Sequence, residues 1–332
     1  MNAQNIIDAF EDFQQLKVLV IGDVILDAYF DGDVNRISPE APVSVLEVRN
    51  RDYRLGGAAN VALNLKGLGS EPVLCSVVGD DEAGEQIGRL AANSGLEHMR
   101  LVKSKSRRST VKTRLMSRQH QLMRFDEEHT HVLNEAEQAE LTNLIDSSIR
   151  ENQIHAIVLE DYDKGVLSPN TIDYVMRAAR EKNIPVTVDP KLRNFLAYSG
   201  ATLFKPNLRE LRDGLNMQHL TSQPGDLKTA FEALVSKCRV QKALFTLGSE
   251  GMCIFSEKGF HYEPARKMPI ADVSGAGDSV IAAATCALAA GLSDVEILHL
   301  ANLAGGWVCQ FPGVVPVNAK LLLNLLTEKS NP

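Results

Sequence analysis

Short continuous apolar runs alternate along the chain with longer stretches of helical period, and that rhythm predicts most of its elements. The first 17 residues, "MNAQNIIDAFEDFQQLK", carry acids inside an apolar stripe and predict an amphipathic helix. Residues 18–21 are apolar without alternation and end at Gly22-Asp23, the pattern of a strand covered on both faces. "GGAANVALNLKGLG" predicts a helix closed by Gly67 and Gly69, followed by a strand over 72–78 and a helix over about 81–94. Farther on, "HAIVLEDYDKG", "IPVTVDPK" and "KALFTLGSEG" each place a short β-branched strand before a polar or glycine-containing turn. Helical patterns such as "TIDYVMRAAREKN" and "DLKTAFEALVSKCR" lie between them, so the chain predicts βαβ units and a mostly parallel sheet with right-handed crossovers.

Two charged stretches depart from this rhythm. "DVNRISPEAPVSVLEVRNRDYRLGG" and "RRSTVKTRLMSRQHQLMRFDEEH" alternate apolar and polar residues, which predicts antiparallel strands with one solvated face. Two such insertions, at about residues 30–53 and 107–126, would form a small sheet outside the main one. It would serve as a lid or as a subunit interface. No linker rich in Pro, Gly or Ser separates two halves, so one domain over residues 1–332 with a protruding lid is expected. An exposed lid sheet has an edge that a partner subunit would cover, and a homodimer through the lids follows.

Composition narrows the class without changing the outline. A net charge of −7 argues against broad nucleic-acid binding but leaves room for a local basic cluster that holds a small anion. The five cysteines, Cys75, Cys238, Cys253, Cys286 and Cys309, are odd in number and scattered, which suits buried thiols in a reducing compartment. No uncharged stretch reaches the roughly 20 residues of a membrane span, and residues 280–292 fit a core helix. A cytoplasmic protein is expected. The eight histidines show no metal-ligand spacing, and Trp307 fits core packing.

In open parallel sheets, ligands bind beyond the carboxyl ends of the strands. The polar turns therefore collect at one edge: Asp23 and Asp27, Asp161 to Lys164, Asp189 to Lys191, and Gly248 to Gly251. "DVSGAGD" joins them if it opens a helix, because Gly275, Ala276 and Gly277 leave backbone N–H groups uncovered at the positive end of a helix dipole. The alternative is a tight turn with Asp278 complementing the dipole. No GxxxxGK[ST] occurs, which excludes a Walker-type loop. A carboxylate beside an anion hole suits phosphoryl transfer, with Asp278 taking the proton of an acceptor hydroxyl while the N–H groups hold phosphoryl oxygens. Gly56-Gly57 before a helix bearing Asn60 allows close backbone approach and hydroxyl recognition. Asn207 and Glu210 in "KPNLREL" face a metal-bound water or a nucleotide phosphate, or else form a capping box.

The order GD-x3-D (Gly22, Asp23, Asp27), GGAAN (Gly56 to Asn60), NLRE (Asn207 to Glu210) and DVSGAGD (Asp272 to Asp278) resembles the ribokinase-type, or phosphofructokinase-B, family of carbohydrate kinases over most of the chain. Within it, "GDVNRISPEAPVSVLEV", "LGGAANVALNLKGLG", "TRLMSRQHQLMRFDEE" and "GATLFKPNLRE" are similar to the bacterial D-glycero-β-D-manno-heptose-7-phosphate kinases. The resemblance implies a three-layer α/β sandwich with a β-lid, ATP with Mg²⁺, and transfer to the C1 hydroxyl, with a monovalent cation left open. The product would be heptose 1,7-bisphosphate, on the route to ADP-heptose for the lipopolysaccharide inner core. It also implies roles: Asp278 as base, with Gly275, Ala276 and Gly277 as anion hole. Asp27, Gly56, Gly57 and Asn60 fall at sugar contacts. Asn207, Glu210, Thr246, Gly248, Ser249, Gly251 and Asn302 fall on the nucleotide side, with Glu210 toward the metal directly or through water. Some relatives are fused to a C-terminal nucleotidyltransferase, for which this chain shows no counterpart, so a separate adenylyltransferase is expected. Three positions depart from the family pattern: Ser274 and Lys205, where threonine is frequent, and Leu192, where glycine is.

A substrate that already carries a phosphate needs cations away from the transfer point. Arg107, Arg108, Lys112, Arg114, Arg118 and Arg124 crowd one lid stretch, and alternation puts Lys112 and Arg114 on one face. Lys164 and Lys191 compete with them from strand ends, beside Asp189, and a solvated lid surface is the plainer reading of the basic stretch. Two other functions stay open: a kinase of the same fold for ribose, fructose or a hexose phosphate, and a non-catalytic sugar-binding regulator.

Overall fold

The computed structural model describes residues 3–118 and 120–328; the ends of the expected 1–332 unit and Gln119 of the second lid stretch lie outside the described residues. In chain order the elements begin with α1 (Ala3–Phe13), β1 (Lys17–Gly22), β2 (Val24–Ile37), β3 (Ser44–Gly57), α2 (Ala58–Leu68), β4 (Glu71–Gly79), α3 (Glu82–Asn93) and β5 (Met99–Ser104). They continue with β6 (Thr110–Ser117), β7 (His120–Glu127), α4 (Glu135–Glu151), β8 (Ala156–Glu160), α5 (Pro169–Glu181), β9 (Val186–Asp189), β10 (Leu203–Phe204) and α6 (Leu208–Leu215). The last are α7 (Pro224–Cys238), β11 (Lys242–Thr246), β12 (Met252–Ser256), β13 (Gly259–Glu263), α8 (Ala276–Ala289), α9 (Asp294–Val308) and α10 (Ala319–Glu328).

Nine strands form the main sheet in the order β13-β12-β11-β10-β9-β8-β1-β4-β5. Pairing is parallel from β11 to β5, whereas β11–β12 and β12–β13 are antiparallel. The antiparallel end was not legible as strands because "GMCIFSEKGFHYE" lacks a helix between its apolar runs. Helices cover both faces and make two cores. Ile157 and Leu159 of β8 pack in one, while Ala156 and Val158 face the other together with α2, α8 and α9. By the same alternation Glu160 points toward α8, and so does Asp189 at the end of β9. Ala282, Ala283, Ala284 and Ala287 let α8 lie close to the sheet, and Thr285 meets Thr187 of β9 at 2.7 Å between hydroxyl oxygens. These contacts fix the N-terminus of α8 over the strand ends.

The second sheet has the order β3-β2-β6-β7, built from the hairpins β2–β3 and β6–β7, which meet through a parallel β2–β6 pair. In the helix after GGAAN, only Gly69 closes the turn, with φ of 106° and its N–H on the carbonyls of Leu65 and Lys66. Gly67 lies inside α2 instead, where a β-carbon would sit 2.0 Å from the Val317 carbonyl oxygen. Its role is close packing, a correction to the expected stop. Among the described residues no disulfide forms, and Cys75, Cys238, Cys253 and Cys286 are buried. Among the same residues no helix is long and apolar enough to cross a membrane.

Candidate active site

The glycine-rich turn opens α8, with Gly275 as N-cap in the left-handed region at φ 78°. Asp278 is then the third helical residue and is 3 % exposed. Its Oδ2 accepts from Asn60 Nδ2 at 2.6 Å and its Oδ1 from the Tyr162 hydroxyl at 2.8 Å. Burial pushes its carboxyl up to about 6; the two hydrogen bonds and Lys205 oppose that rise, and Asp189 adds to it. A carboxylate of that affinity is ionised near neutral pH and still basic enough to take a proton. Gly277 lies in the first turn, where N–H groups lack an intrahelical acceptor. The Ala276 N–H instead turns back to the Val273 carbonyl at 3.2 Å, a correction to the expectation that all three N–H groups of the turn are uncovered. A β-carbon at Gly277 would approach Lys205 Nζ and Asp189 Oδ2 to about 3.5 Å, which leaves the cradle open between turn and strand ends.

On the lid side, the parallel register sets Asp27 opposite Lys112 and Tyr29 opposite Arg114. Asp27 is buried and pairs with Arg114 at 2.5 Å. Gly56 leaves room for the Asp27 carboxylate, because a β-carbon would lie 2.2 Å from its Oδ2, and Gly57 holds φ 58° against the Asp23 carbonyl. Lys112 makes no carboxylate pair among the described residues; burial and the nearby Lys164 lower its proton affinity. Lys164 meets Glu128 at 2.8 Å. The other lid cations divide by partner: Arg124 pairs with Asp126 at 3.0 Å, Arg108 with Glu127 at 3.6 Å, and Arg118 sits in the β6–β7 turn at φ 48°. Arg107 is buried and donates to the carbonyls of His129, His131 and Lys164, which makes it a strut for the loop after β8.

Asp23 is buried as well and accepts from the N–H groups of Tyr162 (2.8 Å), Lys164 (3.1 Å) and Val166 (3.1 Å). It therefore shapes the 161–166 loop rather than facing a ligand. Tyr162 escaped the sequence reading because a tyrosine in "DYDKG" reads as a turn residue. Its ring has Lys112 Nζ at 5.4 Å and Lys191 Nζ at 5.1 Å.

Toward the expected nucleotide side, Lys205 is 3 % exposed and meets Asp189 at 2.8 Å. Burial at that level excludes a solvated lysine. Burial alone would lower its proton affinity, and Asp189 and Glu210 outweigh that. Asn207 and Glu210 form a reciprocal capping box at α6, and Glu210 Oε1 also meets Lys191 at 2.7 Å. The pair thus faces itself and a lysine, because Asn207 caps the helix from outside it. Thr246 bridges to Asn207, Gly248 and Ser249 are exposed beyond it, and Gly251 at φ 106° packs on the Glu263 carbonyl. Asn302 is buried and donates to the Pro264 carbonyl at 2.9 Å.

Glu160 is fully buried, and neither of its carboxylate oxygens has a hydrogen-bond partner; Asp189 Oδ1 has none either. Glu160, Asp189 and Asp278 each bring one oxygen within 4.8 Å of the others. Burial first, then Asp189 and Asp278, pushes the Glu160 carboxyl well above the usual carboxylate range. Unpartnered hard oxygens are the donors a divalent cation takes, so the residues fit the magnesium that the family resemblance implies.

An acid in the first turn of a helix, an open glycine cradle and a lid bearing charged residues together describe a phosphotransferase site. The chain matches residues 15–320 of its length to the pfkB family of carbohydrate kinases and belongs to that family. It is 38% identical over 314 residues to the bifunctional protein HldE of Methylobacillus flagellatus, covering 94% of this chain and 64% of that protein. It is 40% identical over 316 residues to the bifunctional protein HldE of Caulobacter sp., covering 94% and 63%. The chain thus spans just under two thirds of the length of these relatives. Phosphofructokinase-2 from Escherichia coli, solved in complex with potassium, superposes with a TM-score of 0.79 at 21% identity, over 95% of this chain and 99% of that one. Arabidopsis thaliana ribokinase, solved with ribose and ATP, gives 0.71 at 18% identity over 94% and 98%. At such identity these two structures show the ribokinase-like fold and nothing narrower.

Proposed function

We propose that this chain transfers the γ-phosphoryl group of ATP to the C1 hydroxyl of D-glycero-β-D-manno-heptose 7-phosphate, giving heptose 1,7-bisphosphate on the route to ADP-heptose, in the cytoplasm. The observation that carries the reading is Asp278, held by Asn60 and Tyr162 at the mouth of the α8 cradle. Asp278 accepts the hydroxyl proton, which raises the nucleophilicity of the oxygen without moving the carboxylate. The N–H groups of Gly275 and Gly277 stabilise charge on the transferred group. Asp27, fixed by Arg114, accepts from a sugar hydroxyl, and Gly56 and Gly57 let the sugar approach the backbone. Lys112, with Lys164 and Lys191 as neighbours, takes the 7-phosphate. Glu160 and Asp189, with Glu210 through water, are the residues that would hold a Mg²⁺ ion, which would supply neutralisation of phosphate charge there.

The reading also favours a homodimer through the lid. The lid face opposite Asp27 and Lys112 carries Leu26, Phe30, Tyr53, Val111 and Phe125 around a cavity of about 700 Å³, and Met123 and Phe125 are exposed. A second copy paired lid to lid covers both this face and the sheet edge. The test of the substrate is an ADP-release assay on heptose 7-phosphate, fructose 6-phosphate, fructose and ribose, each with Mg²⁺ and with EDTA. Heptose 7-phosphate is expected to give the highest kcat/KM. A higher value for ribose or either fructose compound would overturn the assignment.

A further inference from the structure

Tyr162 touches three parts of the site at once. Its N–H is bound to Asp23, and two more N–H groups of the same loop share that carboxylate, so the residue stands on a rigid turn after β8 that is tied to the end of β1. The hydroxyl donates to Asp278 Oδ1 at 2.8 Å while Asn60 holds Oδ2 at 2.6 Å. Two donors from separate segments stop the carboxylate from rotating, and the remaining lone pairs keep one direction. The ring lies between Lys112 of the lid and Lys191 beyond β9, at 5.4 and 5.1 Å, within the range where an ammonium is attracted to an aromatic face. Lys112 otherwise faces Lys164, with Asp126 and Asp27 as its acidic neighbours, so the ring is a main support for its position.

We propose that Tyr162 is a positioning residue for the phosphoryl transfer: its hydroxyl aims the Asp278 carboxylate at the acceptor hydroxyl, and its ring seats Lys112 against the substrate's phosphate. The second half rests on the sugar-phosphate reading; the first holds for whichever sugar the enzyme turns over. The two halves separate by side-chain surgery. Phenylalanine removes the hydroxyl and keeps the ring, whereas alanine removes both.

The experiment is steady-state kinetics on Tyr162→Phe, Tyr162→Ala, Asp278→Asn and the Tyr162→Phe/Asp278→Asn double variant, using the sugar that wild type prefers. A hydrogen bond to a charged partner contributes about 1.5–3 kcal/mol, so Tyr162→Phe is expected to lower kcat by about 10- to 100-fold with KM for the sugar within about twofold. Tyr162→Ala should also raise KM for a phosphorylated sugar about tenfold, with KM for ATP unchanged. In the Asp278→Asn background, adding Tyr162→Phe should change kcat by less than about twofold, because the hydroxyl then has no base to aim. A Tyr162→Phe enzyme with wild-type kcat overturns the proposal. So does a double variant whose loss is the full product of the single losses, since that is how a purely structural role behaves. If the alanine variant does not fold, the phenylalanine cycle alone decides. Failure of wild type to use heptose 7-phosphate would sink the substrate reading and leave that cycle measurable on another sugar.

Discussion

Glu160 buries an unpartnered carboxyl, and replacing it with glutamine gives a prediction with a definite sign. Its carboxyl is fully buried, faces Asp189 and Asp278, and has no hydrogen-bond partner. Burial and those two acids raise its proton affinity well above the ordinary glutamate value of 4.5, against the pull of Lys205 and Lys191. The fold therefore binds this proton more tightly than the unfolded chain does. Stability from the group is fully present below pH 4.5 and is lost as pH rises through the raised folded value. Glutamine is neutral and nearly the same shape, so it escapes that loss. Each pH unit by which the folded value exceeds the ordinary one costs about 1.4 kcal/mol once the group ionises, which for a chain of this size is a melting shift of a few degrees. With EDTA present, Glu160→Gln should melt higher than wild type at pH 8, and the two curves should converge as pH falls toward 4.5. Differential scanning fluorimetry over that range reads the difference directly. A glutamine variant that melts lower at pH 8, or a gap that widens toward acid, would refute the reasoning.

Four other outcomes follow from the same geometry. Lys112→Ala should raise KM for a sugar phosphate by about 10- to 100-fold, the worth of a charge-assisted phosphate contact, and leave KM for an unphosphorylated sugar nearly unchanged in the same assay. Gly56→Ala puts a β-carbon 2.2 Å from Asp27 Oδ2 and displaces it from Arg114; broken buried pairs cost about 3–5 kcal/mol, so the variant should melt lower and show a raised sugar KM. The pH profile of kcat/KM should have an acid limb near 6, where Asp278 gains its proton, and the residual activity of Asp278→Asn should lack it. Phe125→Asp on the exposed lid face should shift the protein from dimer to monomer in light scattering at micromolar concentration, with little effect on melting.

The main sheet was legible because its strands are apolar on both sides and end in polar turns, as "KVLVIGD" and "IPVTVDP" do. The lid was legible because its strands alternate instead. Asp278, Gly275 and Asn60 stood out through the glycines that announce a cradle, and the structure shows what motifs could not: Asn60 bonds Asp278 across 218 residues of sequence. Tyr162 and Glu160 stayed hidden, and Lys205 stood out only as a departure from the family pattern, for one shared reason. Each is a common residue type whose meaning comes from a neighbour on another strand, Glu160 from Asp189 in the register of β8 with β9 and Lys205 from the same Asp189. Period and composition carry no record of such pairs. Arg107 misled in the opposite direction, because a basic run says nothing about which of its members turns inward onto carbonyls.

The central claim is that Asp278 and its cradle phosphorylate the C1 hydroxyl of a heptose that already carries a 7-phosphate. Phosphorus NMR of the products from wild type, ATP, Mg²⁺ and D-glycero-β-D-manno-heptose 7-phosphate tests it most directly. ADP is expected together with a new phosphate ester coupled to the anomeric proton, and Asp278→Asn should build up that signal far more slowly. An ester at another carbon, or ADP and free phosphate with the heptose unchanged, would contradict it.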